Sequence, residues 1–262
     1  MSSPNSTSDL LLFFPLLQCC QSAMLSFHNA FCAFLVLLLL TSVCTATDDR
    51  PAQQTSNDDQ PNQEFWMRVA IQALRDLNSP CPFEAFGTAV VNHTSAHDDL
   101  ICIGANAIST GNPTLHGEIA AINNCTAVLS DPNGEHRLSP AEILEAYKDL
   151  TLYTTAEPCP MCASAIRWAG FHECVFGTSI ATLGQFGWSQ IDFTSHELFR
   201  HTSGLKTTTR LVGGVLSDET DGLFAWQFDE LAQCPLGCER DVARRTCEHS
   251  ASDLDRYAKT EL

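Results

Sequence analysis

Two short half-motifs constrain this chain more than anything else in it: His116-Gly117-Glu118, and Pro158-Cys159-Pro160-Met161-Cys162 farther along. They offer one imidazole, two thiols and one carboxylate, and they act together only if the fold brings them to a single point. Cys159 and Cys162 are three apart in the first turn of a predicted helix, so both side chains leave on one side. Unpaired backbone N–H groups and the positive end of the helix dipole favour thiolates there. Pro158 pre-sets the helix entrance without wasting a backbone donor. His116 stands at the start of a second predicted helix, so the fold must converge two helix N-termini on one small cleft. One His and two Cys bind zinc with a fourth position left open, whereas structural zinc sites usually close it. An open position takes a water whose pKa can fall to about 7. Glu118 is then left over as a carboxylate beside that water, placed to carry protons.

The same four groups admit blander readings. A structural zinc knot would recruit Cys174 or His172 as fourth ligand, and an unrelated His-x-Glu could stand beside a redox Cys-x-x-Cys. The redox reading leaves His116 and Glu118 without a purpose. The order His-x-Glu followed by Pro-Cys-x-x-Cys is a pattern of hydrolytic zinc deamination, in which the carboxylate serves as both base and acid.

Around these motifs the chain alternates strands and helices, which indicates an α/β layered domain over residues 64–233. Phe65, Val69, Ala70, Ala73, Leu74 and Leu77 recur at helical spacing and open it. Thr88–Asn92 and Leu100–Ala105 read as paired strands, and Glu118–Leu129 as a helix. Ser139-x-x-Glu142 with Pro140 forms a capping box for a short helix to Tyr147. Thr151–Thr155 and Glu173–Gly177 read as strands flanking the cysteine helix. Arg210–Leu216 is expected as a further strand and Asp218–Leu231 as a final helix.

The flanks are different. Ala30–Val43 is almost wholly apolar and ends in small residues, so residues 1–46 resemble a cleaved leader, with Met24 as an alternative start. Left uncleaved, it would be the chain's one link to a membrane. Residues 47–63 read as a disordered linker and residues 234–262 as an acidic, cysteine-containing tail. Two Asn-x-Thr sequons (Asn92, Asn124) agree with the secretory pathway. The terminal Lys259-Thr260-Glu261-Leu262 is one substitution from a retention tetrapeptide of the endoplasmic-reticulum lumen. Secretion and lumenal retention are both expectations of these signals.

The chain has 262 residues, 14 Lys and Arg against 31 Asp and Glu, and a formal net charge of -17. All fourteen basic residues follow residue 47, and no basic patch is present. Such a surface repels phosphate backbones, so nucleic acid is a poor partner. Of the 13 cysteines, four fall in the apolar N-terminal region and two in the metal motif. The remaining seven are odd in number, so at least one stays free or pairs between chains. Cys234, Cys238 and Cys247 crowd the tail, where a staple is expected.

The chain resembles the cytidine-deaminase-like superfamily, and within it the guanine deaminases and bacterial-type tRNA adenosine deaminases. The resemblance rests on Phe86-Gly87-Thr88-Ala89-Val90-Val91, Asn106, Asn112 to Ile119, Leu152 to Cys162 and Val212 to Leu216. It implies a three-layer α/β/α sandwich around a mixed, roughly five-stranded sheet, often as a homodimer. It implies Zn2+ on His116, Cys159 and Cys162, Glu118 as the catalytic proton carrier, Asn106 hydrogen-bonded to a base and Phe86 beside it. Glu157 directly before Pro158-Cys159 is usual in the purine-acting branch. Gly117 departs from the Ala common there, and Gly177 to Lys206 matches poorly.

The expected activity is hydrolytic deamination of a small nucleobase or nucleoside, with purines ahead of cytosine. Deamination of tRNA adenosine, a cytosine-type activity and a non-catalytic secreted deaminase fold are the alternatives. Asp192 is a candidate for recognising an exocyclic amine, against the plainer reading of a solvated loop acid. Trp188, Trp226 and Phe186 could stack on a base, but such aromatics are more often core.

Overall fold

A computed structural model of the chain describes residues 60–79, 81–94 and 97–249. The leader, most of the linker and the terminal tetrapeptide lie outside the described residues. Among the described residues, the α-helices and strands follow in order: α1 (Gln60–Leu77), β1 (Gly87–Asn92), β2 (Asp99–Ala105), α2 (Gly117–Ser130), α3 (Pro140–Ala146), β3 (Leu150–Ala156) and α4 (Pro160–Ala169). Next come β4 (Glu173–Thr178), α5 (Ile180–Gln185), α6 (Ser195–Arg200), β5 (Arg210–Val212), α7 (Ser217–Ala225), β6 (Cys238–Asp241) and β7 (Thr246–His249).

Side-chain alternation along the strands makes the layers. On β1, Ala89 and Val91 pack with Trp66, Met67 and Ala70 of α1, together with Tyr153 and Val175. The intervening Val90 points the other way, joining Leu152, Cys174, Ala121 and Cys125 of α2 and Ile166 of α4. Period-two burial on both faces is what a central sheet between two helical layers requires. The sheet has five strands in the order β2-β1-β3-β4-β5. β1 is antiparallel to β2 and β3, whereas β3, β4 and β5 run parallel. This is the mixed five-stranded, three-layer fold expected from the resemblance. α7 joins the α1 layer through Leu223 and Phe224, which pack with Leu74. The capping box at Ser139 and Glu142 forms as read from sequence.

Four expectations need correcting. The first helix starts at Gln60, inside the predicted linker, and Gln63 is buried there. A polar sequence is held because Asn62 and Trp66 both donate to the Asp98 carboxylate. The strand beginning at Arg210 stops at Val212 rather than Leu216. Gly213 lies so close to Phe176 that a Cβ would sit 2.4 Å from its ring, and Gly214 turns the chain at φ 78°. The last helix ends at Ala225, not Leu231. Trp226 leaves it to pack against Cys81 and Cys247. The tail, finally, contains an antiparallel hairpin of β6 and β7.

Three disulfides join six of the nine cysteines among the described residues. Cys81–Cys238 and Cys234–Cys247 fasten the hairpin, and Cys102–Cys125 ties β2 to α2. The expected staple among Cys234, Cys238 and Cys247 thus forms, with Cys81 as the outside partner. The odd cysteine is Cys174, a free thiol in the core.

Candidate active site

The two half-motifs meet. His116 is the N-cap of α2 and Cys159 the N-cap of α4, so each motif sits where a helix leaves its first backbone N–H groups unpaired. Close packing fixes α2 at this point. A Cβ on Gly104 of β2 would lie 2.4 Å from the Ala121 nitrogen, and one on Gly117 would lie 2.3 Å from the Phe86 carbonyl oxygen. The departure from Ala at position 117 is therefore a packing requirement: only glycine lets α2 start this near to β1. The Cys102–Cys125 bond holds the same pair of elements together covalently.

One ligand atom each from His116, Cys159 and Cys162 lies within 4.8 Å of the others, the one such three-residue cluster among the described residues. The Cys159 sulfur is 3.6 Å from His116 Nδ1. Tetrahedral zinc with ordinary Zn–S and Zn–N bonds sets its S and N ligands about 3.5 Å apart, so the donor set fits that ion. Cys174 and His172 take no part in the cluster, which removes the four-ligand structural knot from consideration. Six other cysteines pair as disulfides while Cys159 and Cys162 remain thiols.

Charge is arranged accordingly. The hydrogen bond donated by Cys162, aided by one from His116, holds the Cys159 thiol down at about 4. Giving that bond, and being buried, pushes the Cys162 thiol well above the usual range. The hydrogen bond to Cys159 raises His116. Burial, reinforced by the negative Cys159 sulfur, pushes Glu118 up to about 7. Glu118 is 2% exposed, and the Thr154 hydroxyl lies 3.5 Å from its Oε1.

A cleft of about 170 Å³ opens over this group. That is smaller than the roughly 300–1,000 Å³ of drug-sized ligand sites and suits a single ring system. Asn106 and Phe86 line it, together with Glu84, Trp188, Ser189 and Gln190. No lysine or arginine does. Asp192 is exposed and absent from the lining, because the loop turns its neighbours Ser189 and Gln190 inward instead. Trp188 lines the cleft against Phe86 and Phe224, whereas Trp226 is core. Sequence reasoning missed Glu84; the available signal was a lone acid between Phe83 and Ala85, just before a strand.

The segment from Gly177 to Lys206 forms the two short helices α5 and α6. Glu157 organises them: one carboxylate oxygen accepts from the Ile180 N–H at 2.9 Å and the other from the Ser195 N–H at 2.8 Å. The Ser195 hydroxyl donates in turn to the Pro158 carbonyl at 2.8 Å. Arg167 of α4, itself buried, donates to Thr202, Thr207 and Thr209 at the far end.

The cytidine and deoxycytidylate deaminase zinc-binding region matches residues 60–178. A tRNA-specific adenosine deaminase of Bacillus subtilis is 36% identical over 181 residues, covering 69% of this chain and 97% of the relative. The chain belongs to the zinc-binding deaminase family. A guanine deaminase of Bacillus subtilis is 38% identical over 109 residues, 41% of this chain and 58% of the relative. A probable cytosine deaminase of Schizosaccharomyces pombe is 31% identical over 113 residues, 43% of this chain and 56% of the relative. The chain thus spans little more than half the length of these last two proteins. Zinc is the metal of the family's motif, and the His and Cys residues here are positioned to hold it.

Proposed function

We propose that this protein is a zinc-dependent hydrolytic deaminase of a small nucleobase or nucleoside, with purine rings favoured, releasing ammonia. The observation that carries the reading is Glu118, a buried carboxylate on the floor of a base-sized cleft beside His116, Cys159 and Cys162. Zinc held by those three residues would supply the Lewis acidity that makes a water nucleophilic at neutral pH. Glu118 would take one proton from the attacking water and give it to a ring nitrogen, then take the second from the resulting hydroxyl and give it to the departing amine. The carbon exchanges its C–N bond for a C–O bond, and ammonia leaves. Phe86 and Trp188 supply flat apolar surface for the ring, and Asn106 its orientation. A cleft lined by Glu84, Glu118 and Glu157 and by no lysine or arginine offers a phosphate no basic side chain, which favours uncharged rings over nucleotides.

The tRNA-specific relative is matched over nearly its whole length, which favours tRNA as the second reading. A net charge of -17 opposes it, since polynucleotide affinity draws on Lys and Arg. The leader-like segment and the three disulfides support a secretory setting, where tRNA is not found.

The test is ammonia release by the zinc-loaded full chain from free bases, nucleosides, nucleotides and tRNA. Turnover of at least one base or nucleoside, without turnover of tRNA, is the expected result. Silence across the panel with zinc bound would remove the enzymatic reading.

A further inference from the structure

Glu84 occupies an uncommon backbone conformation for a residue with a side chain, φ 59°. It is fixed there from two sides. Its N–H donates to Gln227 Oε1 at 2.9 Å, and its carbonyl accepts from the Phe86 N–H at 2.7 Å. Non-glycine residues held in the left-handed region are costly and cluster at functional sites. Here the conformation delivers a carboxylate to the cleft wall, where Glu84 Oε2 accepts from Asn106 Nδ2 at 2.7 Å.

The consequence lies in Asn106. Its backbone is pinned, because its N–H donates to the Phe86 carbonyl at 2.9 Å and its own carbonyl accepts from Asn78 Nδ2 at 3.0 Å. A side-chain amide can in principle present either oxygen or nitrogen to a ligand. A carboxylate accepts only, so Glu84 forces the Nδ2 end of Asn106 towards itself. Asn106 Oδ1 is left as a buried acceptor with no hydrogen-bond partner, on a residue only 7% exposed that lines the cleft. A buried polar atom without a partner is costly, so it points to a donor arriving with the ligand.

We infer that Glu84 is the positioning residue that sets the polarity of substrate recognition, holding the Asn106 nitrogen so that its oxygen is the acceptor left for a ring edge bearing an N–H donor. The substrate class is then a ring that carries, besides its reacting amine, a second N–H facing Asn106. A ring edge bearing a bare nitrogen or a methylated nitrogen is rejected. Without the carboxylate at position 84 the Asn106 amide is free to turn and to satisfy either kind of edge.

The inference rests on the deaminase reading for its substrate, so its experiment uses binding as well as turnover. Guanine, adenine and cytosine are compared with their ring-N-methylated forms by calorimetry and by ammonia release. The proteins are the zinc-loaded wild type, Glu84→Gln and Glu84→Gly. Glycine suits the φ at this position, so that variant keeps the fold, and unchanged zinc content checks it. In the wild type, methylating the N–H that meets Asn106 weakens binding of the preferred base by about ten- to a hundredfold, the cost of an unsatisfied buried acceptor. In both variants that penalty shrinks to about threefold or less. The Asn106 side-chain amide protons, assigned by NMR, are protected in the wild type and exchange faster in Glu84→Gly with or without ligand. An unchanged methylation penalty, or equal amide protection in wild type and variant, overturns the inference. Absence of all ammonia release would instead count against the enzymatic reading, while the amide protection still decides the role of Glu84.

Discussion

The metal end and the recognition end of the cleft are built on opposite plans. Each metal-end residue opens a long helix that is pressed onto the central sheet: His116 and Glu118 on α2, Cys159 and Cys162 on α4. Close approach at Gly104 and Gly117, where a Cβ would meet backbone at 2.4 and 2.3 Å, fixes the seat of α2. The recognition end comes from connections, with Glu84 before β1, Asn106 after β2, and Trp188 to Gln190 between two short helices. The first plan fixes chemistry through regular structure. The second leaves specificity in loops, where change disturbs least of the core.

The comparison is broken most severely at the metal end. Glu118→Gln should retain about one zinc per chain by elemental analysis while turnover falls about 10²- to 10⁴-fold, the range for a lost acid–base group. Cys162→Ala should lose zinc and turnover together, and a chelator should do the same to the wild type. Zinc affinity should rise with pH. Cys159, held at about 4, is already a thiolate near neutrality, whereas Cys162 is pushed up and His116 is raised, so both must shed protons on binding. Each released proton steepens the affinity by about tenfold per pH unit, which competition titrations between pH 6 and 8 would measure. Flat affinity over that window would contradict the proton inventory.

Smaller effects are expected away from the ligands. Gly104→Ala should destabilise the fold by about 1–3 kcal/mol in denaturant titrations, because the added methyl meets the backbone of α2. At the recognition end, Trp188→Ala should raise KM by about tenfold with kcat and zinc content little changed, as expected for lost ring contact. If Trp188→Ala instead removed zinc, the two ends would not be independent.

What could be read from sequence follows the same division. The metal motif was legible because a fixed spacing at a helix start dictates direction as well as identity. The layers were legible because Ala89, Val90 and Val91 alternate between two faces. Asp192 was misplaced because nothing local says which residue of a loop turns inward. The true neighbours, Ser189 and Gln190, are set by Glu157 bracing α5 and α6 from a distance. Glu84 was invisible for a related reason: its meaning depends on Asn106, a contact 22 residues away that no periodicity encodes. The final helix was overextended because Trp226 fits a helical pattern yet is claimed by the disulfide-bonded hairpin.

The Cys81–Cys238 bond spans 157 residues of sequence. Every metal ligand, the proton carrier and every cleft residue discussed lies inside that span, so the stretch of chain that builds the site is a covalent ring rather than a string. A protease that cuts one surface loop within it opens the ring without producing two separate pieces. The nicked chain can keep its site assembled, and a single cut parts the halves when it is combined with reduction, in either order.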